Sequence, residues 1–222
     1  MVQVAFCIPS TTNKRDWKTI HETYLLKILL PTLSEMKSDC NIKVFIGYDE
    51  DDKIYSEHRI NKYKDIEIDW TSFDSSFKGN PVGIWNVLAE KSIKAGFDYL
   101  MILGDDITIP QDNWLDRFIV NLNIRDNIGF SAGWSNNDNI PTQFLINKKH
   151  IEIFNWVYPP LLKNWFCDDF MYNLYPYKYR YWDKDVKLLN VGGEPRYNPN
   201  NDKNLCDRLL KRYKKNLCKY IK

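Results

Sequence analysis

The sequence predicts an α/β fold with a mostly parallel central sheet flanked by helices. Strand-like and helix-like periods alternate through the first half of the chain, which is the pattern of a parallel sheet covered by helices. Residues 99–103 form a short, continuous apolar run, as expected of a strand that is buried on both faces. With 222 residues, of which 44% are hydrophobic, the chain can bury a substantial core in one large domain.

Each element of the first half has a local signal. Strands are predicted at residues 2–8, 42–47, 66–70 and 97–103, and helices at 17–36, 52–62 and 81–95. Pro31 should kink or divide the first helix, because proline lacks the N–H of a helical hydrogen bond. Asn80 and Pro81 are a strong helix start, and Gly96 can end that helix in the left-handed conformation.

The second half adds further elements, which are a helix at 114–124, extended segments at 128–132 and 143–146, a helix at 148–154, a late strand at 186–190 and a turn-rich segment at 192–200. The final helix carries an apolar stripe on an otherwise basic surface, formed by Leu205, Leu209, Tyr213 and Leu217. We expect it to pack on the body. The alternative is a membrane-surface helix or a junction to a further domain.

Charge and cysteine content narrow the class of protein. Residues 208–222 carry seven Lys or Arg and no acid, whereas residues 1–207 have 24 Lys and Arg against 29 Asp and Glu, a formal charge of −5. Nucleic acid is therefore not expected as a partner. No secretory segment or bilayer-spanning run is predicted, and the five scattered cysteines suit a reducing compartment. We expect a soluble, cytoplasmic protein.

The most informative segment is FDYLMILGDDITIP, residues 97–110, in which a buried strand ends in two adjacent carboxylates. Gly104 permits a turn, and Asp105 and Asp106 follow at the carboxyl end of the strand, where open α/β sheets bind ligands. Adjacent carboxylates repel each other, so an arrangement that keeps both ionised usually supplies a cation, and hard oxygen ligands suit Mg²⁺ or Mn²⁺. The alternative is a solvated Asp-Asp turn.

The order of these features resembles the GT-A superfamily of nucleotide-sugar-dependent glycosyltransferases. The first strand ends in a polar loop, the second in Asp49 and the fourth in the aspartate pair, and the resemblance covers most of the first 200 residues. It implies one GT-A-like catalytic domain at 1–200, with a nucleotide-sugar-binding half at 1–110 and an acceptor-side half at 111–200. The basic C-terminal helix at 201–222 follows.

The resemblance implies a divalent metal, Mn²⁺ or Mg²⁺, that bridges the donor diphosphate and neutralises its developing charge. Asp106 is the implied ligand, and Asp105 is directed to the ribose, the metal or a metal-bound water. Gly104 stands at the first acidic position of the usual Asp-x-Asp motif, which is a departure from the family. Many relatives complete the site with a late histidine, which this chain lacks in its turn-rich segment. The residues left for that role are Glu194, Arg196 and Tyr197.

The resemblance also implies a donor-binding surface. The loop PSTTNKRDW after the first strand resembles the family's nucleotide-binding loop, in which Thr11 and Thr12 can bind the base or ribose and Arg15 a phosphate. The segment GNPVGIWN precedes the acidic strand by one helix, where relatives place donor contacts; a capped helix start is the alternative. The implied donor-binding residues are Pro9, Ser10, Thr11, Thr12, Arg15, Asp49, Asn80, Trp85, Asp105 and Arg196.

The segment WFCDDFM, residues 165–171, resembles the acceptor-side segment in which inverting members hold a general base. That base takes a proton from the acceptor hydroxyl as its oxygen attacks the anomeric carbon. Asp169 is the implied base, and Asp168 is the second candidate. A first-turn acid that favours the helix dipole is the alternative. The aromatic-rich region at 156–182 would then shape the acceptor pocket.

Together with these features, the resemblance implies a metal-dependent, inverting hexosyl- or pentosyltransferase that moves a sugar from a UDP-sugar to a glycan or other hydroxyl acceptor. A nucleotidyltransferase that forms nucleotide sugars is an alternative, but residues 9–17 lack its glycine-rich loop. A carbohydrate-binding module would explain the aromatic residues but not two acidic pairs. Gly-Asp-Asp polymerases need a longer chain and a basic channel. The Lys- and Asn-rich composition indicates an AT-rich genome, such as that of a large virus, and then a host-cytoplasmic location.

Overall fold

A large sheet forms the centre of the protein. The computed structural model describes residues 1–110, 112–194 and 196–221. The strands in these ranges are β1 (Gln3–Pro9), β2 (Asn41–Asp49), β3 (Lys62–Tyr63), β4 (Ile66–Phe73), β5 (Tyr99–Ile102), β6 (Ile107–Thr108), β7 (Phe130–Trp134), β8 (Phe144–Asn147), β9 (Arg180–Lys187) and β10 (Leu189–Asn190). Within the described ranges the central sheet has the order β3-β4-β2-β1-β5-β8-β7-β9. Strands β4, β2, β1 and β5 are parallel, as are β7 and β9, while β3 and β8 are antiparallel to their neighbours. The predicted mostly parallel α/β fold is confirmed.

Helices cover both faces of this sheet. They are α1 (Leu30–Glu35), α2 (Lys53–His58), α3 (Pro81–Lys94), α4 (Trp114–Asn123), α5 (Lys148–Phe154), α6 (Cys167–Leu174) and α7 (Lys203–Leu217). Side chains of β1 alternate between two apolar cores, with Ala5 and Cys7 in one and Val4 and Phe6 in the other. The first core also contains side chains of α3, α5, α6 and α7, and the second contains those of α1, α2 and α4. This burial on both faces accounts for the continuous apolar runs of β1 and β5.

Local signals placed several element ends correctly. A π-helical segment at Leu25–Leu29 leads into α1, so Pro31 lies in the first turn of α1, where its missing N–H is not needed. The helix is not divided at Pro31, because Leu29 and Leu30 both keep right-handed helical dihedral angles and the π-helical segment continues directly into α1. A kink at Pro31 stays a prediction. The side chain of Asn80 accepts a hydrogen bond from the Gly83 N–H at the start of α3, and Gly96 has φ +92° just after its end. The predicted start and end of that helix are therefore confirmed.

Other boundaries were wrong because pairing between strands overrode the local pattern. Helix α2 ends at His58 rather than 62, since residues Lys62–Tyr63 pair with β4. Strand β9 begins at Arg180 rather than 186, since it pairs in parallel with β7. Strand β6, which follows Asp106 directly, was not predicted at all. It pairs with β10 and so brings the late segment of the chain to the end of β5.

The last helix packs on the body, as expected. Cys206, Leu209 and Leu217 of α7 are buried in the core that also contains α6, whereas Arg208 and Lys211 are exposed. The apolar stripe is thus covered by the protein itself, and the outer face is basic. Within the described ranges, no helix has both the length and the apolar content needed to cross a membrane. A partner at the basic outer face stays a prediction.

Two glycines with positive φ allow a matched test of the β7–β9 junction. Gly129 has φ +107°, and a Cβ there would lie 2.0 Å from the carbonyl oxygen of Tyr179; Gly96 has φ +92° and open space around its Cβ position. We expect Gly96→Ala to lower the free energy of unfolding by about 1–3 kcal/mol through backbone strain. Gly129→Ala should cost about 1–3 kcal/mol more, because the clash forces the strands apart. Urea unfolding measures both, and equal losses would contradict the described junction.

Candidate active site

A cleft of about 650 Å³ opens at the carboxyl edge of the parallel strands. Ser10 follows β1, Asp49 ends β2 and Asp106 follows β5, so the sheet brings these distant segments side by side. The start of α6 forms part of another wall. Of the residues predicted from the sequence, the cleft is lined by Pro9, Ser10, Thr11, Asp49, Asn80, Trp85, Asp106, Asp168, Asp169 and Arg196. Donor-side and acceptor-side predictions therefore meet in one cavity.

Asp105 lies beneath the cleft in a buried ion pair. Its side chain is 0% exposed. The Arg196 guanidinium donates to both carboxylate oxygens, from Nη1 to Oδ2 at 2.7 Å and from Nη2 to Oδ1. The Ser10 hydroxyl donates to Oδ2 at 2.5 Å and accepts from the Tyr55 hydroxyl at 2.6 Å. The bidentate pair and the buried Tyr55–Ser10–Asp105 chain fix both the carboxylate and the arginine.

Asp106 is the member of the acidic pair that faces the cleft. Its side chain is 15% exposed, and its Oδ2 lies 3.8 Å from Nη2 of Arg196. Burial, followed by the charge of Asp105, raises the pKa of Asp106 well above its usual range, while the Arg196 charge opposes that rise. A Cβ on Gly104 would lie 2.8 Å from its Oδ1, and one on Gly192 would lie 1.9 Å from its Oδ2. The carboxylate is therefore held between two glycines.

Arginine side chains hold the late segment of the chain against the end of β5. Arg15 donates from Nη2 to the carbonyl oxygens of Gly192 at 3.0 Å and Glu194 at 2.9 Å. Arg196 donates from Nη1 to the carbonyl oxygen of Thr11 at 2.8 Å. Both guanidinium groups lie over the ring of Tyr24, at 5.5 Å and 5.6 Å from its centroid. Two cationic side chains thus accompany the two aspartates.

Most predicted donor-binding residues already have protein partners. The Thr11 hydroxyl and the Asn13 amide donate to Oδ2 of Asp49 at 2.9 and 3.0 Å, and desolvation raises the pKa of Asp49. The Thr12 N–H donates to Asp52 at 2.7 Å. The Trp85 indole donates to the carbonyl oxygens at the ends of β1 and β5, at 3.2 and 3.3 Å.

Thr12, Arg15 and Asp105 are not among the lining residues of the cleft. Contacts of these side chains with a donor stay predictions.

The first turn of α6 presents both candidate bases to the cleft. Phe166, directly before α6, has φ +67°, a strained conformation for an aromatic residue. Desolvation, together with the charge of Asp169, raises the pKa of Asp168 to about 7, against the effect of a hydrogen bond from the Cys167 thiol. Trp165 is 44% exposed at the edge of the same cleft. Asp168 is thus a carboxyl group poised to exchange a proton near neutral pH.

Two further polar residues complete the cleft: Tyr197, which the sequence offered only as a candidate for the late contact with metal or diphosphate, and Asn164, which the sequence interpretation missed. Tyr197 lines it, and burial, followed by the charges of Cys167, Asp168 and Asp106, raises its pKa. Tyr197 therefore lies within electrostatic reach of both acidic sites. Asn164 donates to the carbonyl oxygen of Gly79 at 2.8 Å and accepts from the Asn200 N–H at 2.8 Å, which joins three loops. No local pattern marks Asn164, because its role depends on contacts between distant segments.

Few of the described side chains are arranged to bind the predicted divalent metal. Among the residues that the structure describes, no group of three or more His, Cys, Asp and Glu side chains is arranged to hold a metal ion. Both carboxylate oxygens of Asp105 accept from Arg196, which leaves Asp106 as the carboxylate of the pair that reaches the cleft. The side chains in this arrangement do not fit a metal shared by Asp105 and Asp106. Whether the protein uses Mn²⁺ or Mg²⁺ stays a prediction.

Comparison with known proteins adds a fold similarity. No protein-family model matches the sequence, and a search of curated proteins gives no match. The structure of S. aureus TarS 1–349 with UDP-GlcNAc has a TM-score of 0.59 at 11% identity, covering 100% of this chain and 74% of that one. The same fragment with UDP gives 0.56 at 12% identity, covering 99% and 72%. Against TarS itself the TM-score is 0.54 at 12% identity, and this chain spans 44% of its length. At these identities the similarity shows a shared fold.

Proposed function

We propose that the protein transfers a sugar from a nucleoside diphosphate sugar to a hydroxyl acceptor. The observation that carries the proposal is the cleft, which is lined both by Asp106 at the end of β5 and by Asp168, whose pKa is raised to about 7. The fold that holds this cleft is similar to that of TarS, which binds UDP and UDP-GlcNAc. A UDP-sugar is therefore the proposed donor, as the sequence predicted. Ligand sites at the carboxyl ends of strands are general in such sheets.

In the proposed mechanism Asp168 is the general base. It takes the proton of the acceptor hydroxyl while the oxygen attacks the anomeric carbon, and the bond from that carbon to the donor phosphate breaks. The nucleoside diphosphate leaves with the bonding electrons, and the configuration at the anomeric carbon inverts. Asp168 takes the place of Asp169, which the sequence favoured, because a pKa of about 7 suits a base that works near neutral pH.

The leaving diphosphate needs a positive charge beside it. Arg196 lines the cleft next to Asp106, and its guanidinium can donate paired hydrogen bonds to phosphate oxygens. A divalent cation bound at Asp106 would supply the same stabilisation, as the sequence predicted. The proposed steps do not use a divalent cation. In the described arrangement Arg196 already holds both oxygens of Asp105, so Asp106 is the one carboxylate of the pair left for a metal ion.

Calorimetry and product analysis test this proposal. We expect UDP and one or more UDP-sugars to raise the Tm by several degrees, since a ligand at 100 times its Kd adds about 2.7 kcal/mol to stability. NMR of the sugar released during slow donor hydrolysis should show inversion at the anomeric carbon. If no nucleotide of a panel of UDP, GDP, ADP and CDP and their sugars shifts the Tm, the donor site does not exist. Binding without any turnover would favour a carbohydrate-binding role for the exposed Trp165.

A further inference from the structure

We infer that this cleft binds a nucleoside diphosphate without a divalent cation, and that Arg196 supplies the positive charge a metal ion would provide. The inference rests on the proposed function, since it concerns the donor of that reaction. It assigns the positive charge beside the diphosphate to Arg196 in place of a metal ion.

Adjacent carboxylates are kept ionised by a nearby cation, and the structure supplies one from the chain itself. Arg196 donates to both oxygens of Asp105, whose side chain is 0% exposed. A bidentate arginine–carboxylate pair is among the strongest charge-assisted contacts in proteins. An ion that used Asp105 as a ligand would have to reach a fully buried carboxylate whose oxygens already accept three hydrogen bonds, from Arg196 and Ser10. The cation that the sequence argument demanded is thus already in place.

Arg196 also keeps capacity for a ligand. A guanidinium has five N–H donors, and its hydrogen bonds to Thr11 and Asp105 in the described part of the chain use three of them. The side chain is 13% exposed and lines the cleft. The planar fork of arginine matches the oxygens of a phosphate group, in a way that the point charge of lysine does not.

The charges around the acidic pair balance without a metal ion. Arg15 and Arg196 both lie on the ring of Tyr24; Arg196 pairs with Asp105 and lies 3.8 Å from Asp106, and the charge of Arg15 also opposes the rise in the pKa of Asp106. Arg15 holds the carbonyl oxygens of the late segment, which brings Gly192 against Asp106. One side of the Asp106 carboxylate is therefore covered by backbone. A cation at this position would share the remaining carboxylate with Arg196, 3.8 Å away.

The first test uses the unmodified full chain. Titration calorimetry with UDP, and in parallel with GDP and ADP, is carried out in EDTA and again with Mn²⁺ after exhaustive dialysis. We expect the Kd for the preferred nucleotide to agree within about threefold between the two conditions, a difference below 1 kcal/mol. Binding that requires Mn²⁺ would overturn the inference while leaving the proposed function intact. No binding in either condition would overturn both.

The second test separates Arg196 from the stability of the fold. Because Arg196→Met alone leaves a buried carboxylate unpaired, the double variant Asp105→Asn/Arg196→Met removes both charges together. In EDTA its Kd for the nucleotide should rise by about 10- to 100-fold, the loss expected for charge-assisted hydrogen bonds. Arg208→Met, at an exposed position of α7, is the matched control and should bind like the parent. A folded double variant with parental affinity would overturn the assignment of Arg196.

Discussion

Asp168→Asn is expected to lower kcat for donor turnover by about 10²- to 10⁴-fold, the range for loss of a general base. The parent rate should rise with pH through about 7, where Asp168 loses its proton, and the residual rate of the variant should lack that step. Donor hydrolysis, in which water takes the place of the hydroxyl acceptor, provides the assay. Asp169→Asn is the neighbouring comparison, and Asp207→Asn at an exposed position is the control. A larger loss in Asp169→Asn than in Asp168→Asn would return the role of base to Asp169.

The same substitution should stabilise the protein at alkaline pH. Desolvation raises the pKa of Asp168 in the folded state from 3.8 to about 7, so the folded state holds a proton that the unfolded chain releases. The stability that this proton contributes is present below pH 3.8 and is lost as the pH rises through about 7. At pH 8 the parent therefore carries a poorly solvated charge that asparagine lacks. We expect Asp168→Asn to raise the Tm by at least about 2 °C at pH 8, with less effect at pH 4.

A loss of activity that accompanies a gain in stability would mark Asp168 as a functional residue, because a merely structural one would lose both. Differential scanning calorimetry at the two pH values measures the effect. A variant that is less stable than the parent at pH 8 would mean that the charged carboxylate is well solvated in the cleft. The pH step in the activity would then need a group other than Asp168.

The second large effect is on folding. Arg196→Met is expected to lower the free energy of unfolding by about 3–5 kcal/mol, because it leaves the buried Asp105 carboxylate without its partner. For a chain of this size the Tm should fall by about 6–20 °C. Urea unfolding, with the slope compared between variants, gives the free energy directly. A loss below about 1 kcal/mol would show that Asp105 is solvated or that another cation replaces Arg196.

The double variant Asp105→Asn/Arg196→Met serves as the control for this prediction. Removing both charges eliminates the unpaired carboxylate, and such replacements of buried pairs are often neutral or stabilising. We therefore expect the double variant to recover most of the lost stability while still lacking the cation at the cleft. Equal instability in the single and double variants would mean that Arg196 matters through its contacts with Thr11 and Tyr24 instead.

The sequence alone determined the fold class and several element ends of this protein, because these depend on short-range signals. The apolar run of β5, the Asn80 cap and Gly96 are each readable within a few residues. The apolar stripe of α7 likewise predicted a packed closing helix. The presence of an acidic turn at the carboxyl end of a buried strand, and hence the place of the cleft, followed from the same local pattern.

Only the tertiary structure decided how the acidic turn is neutralised and that the pKa of Asp168 is raised. Arg196 and Asp105 are 91 residues apart in the chain, and Ser10 and Tyr55 are 45 apart, so no local window contains either pair. The pKa of Asp168 is raised mainly by desolvation within the surrounding protein, which no local window of sequence shows. Burial and long-range ion pairing are properties of the packed chain, which is why the sequence showed the acidic pair but not the arginine that is paired with Asp105.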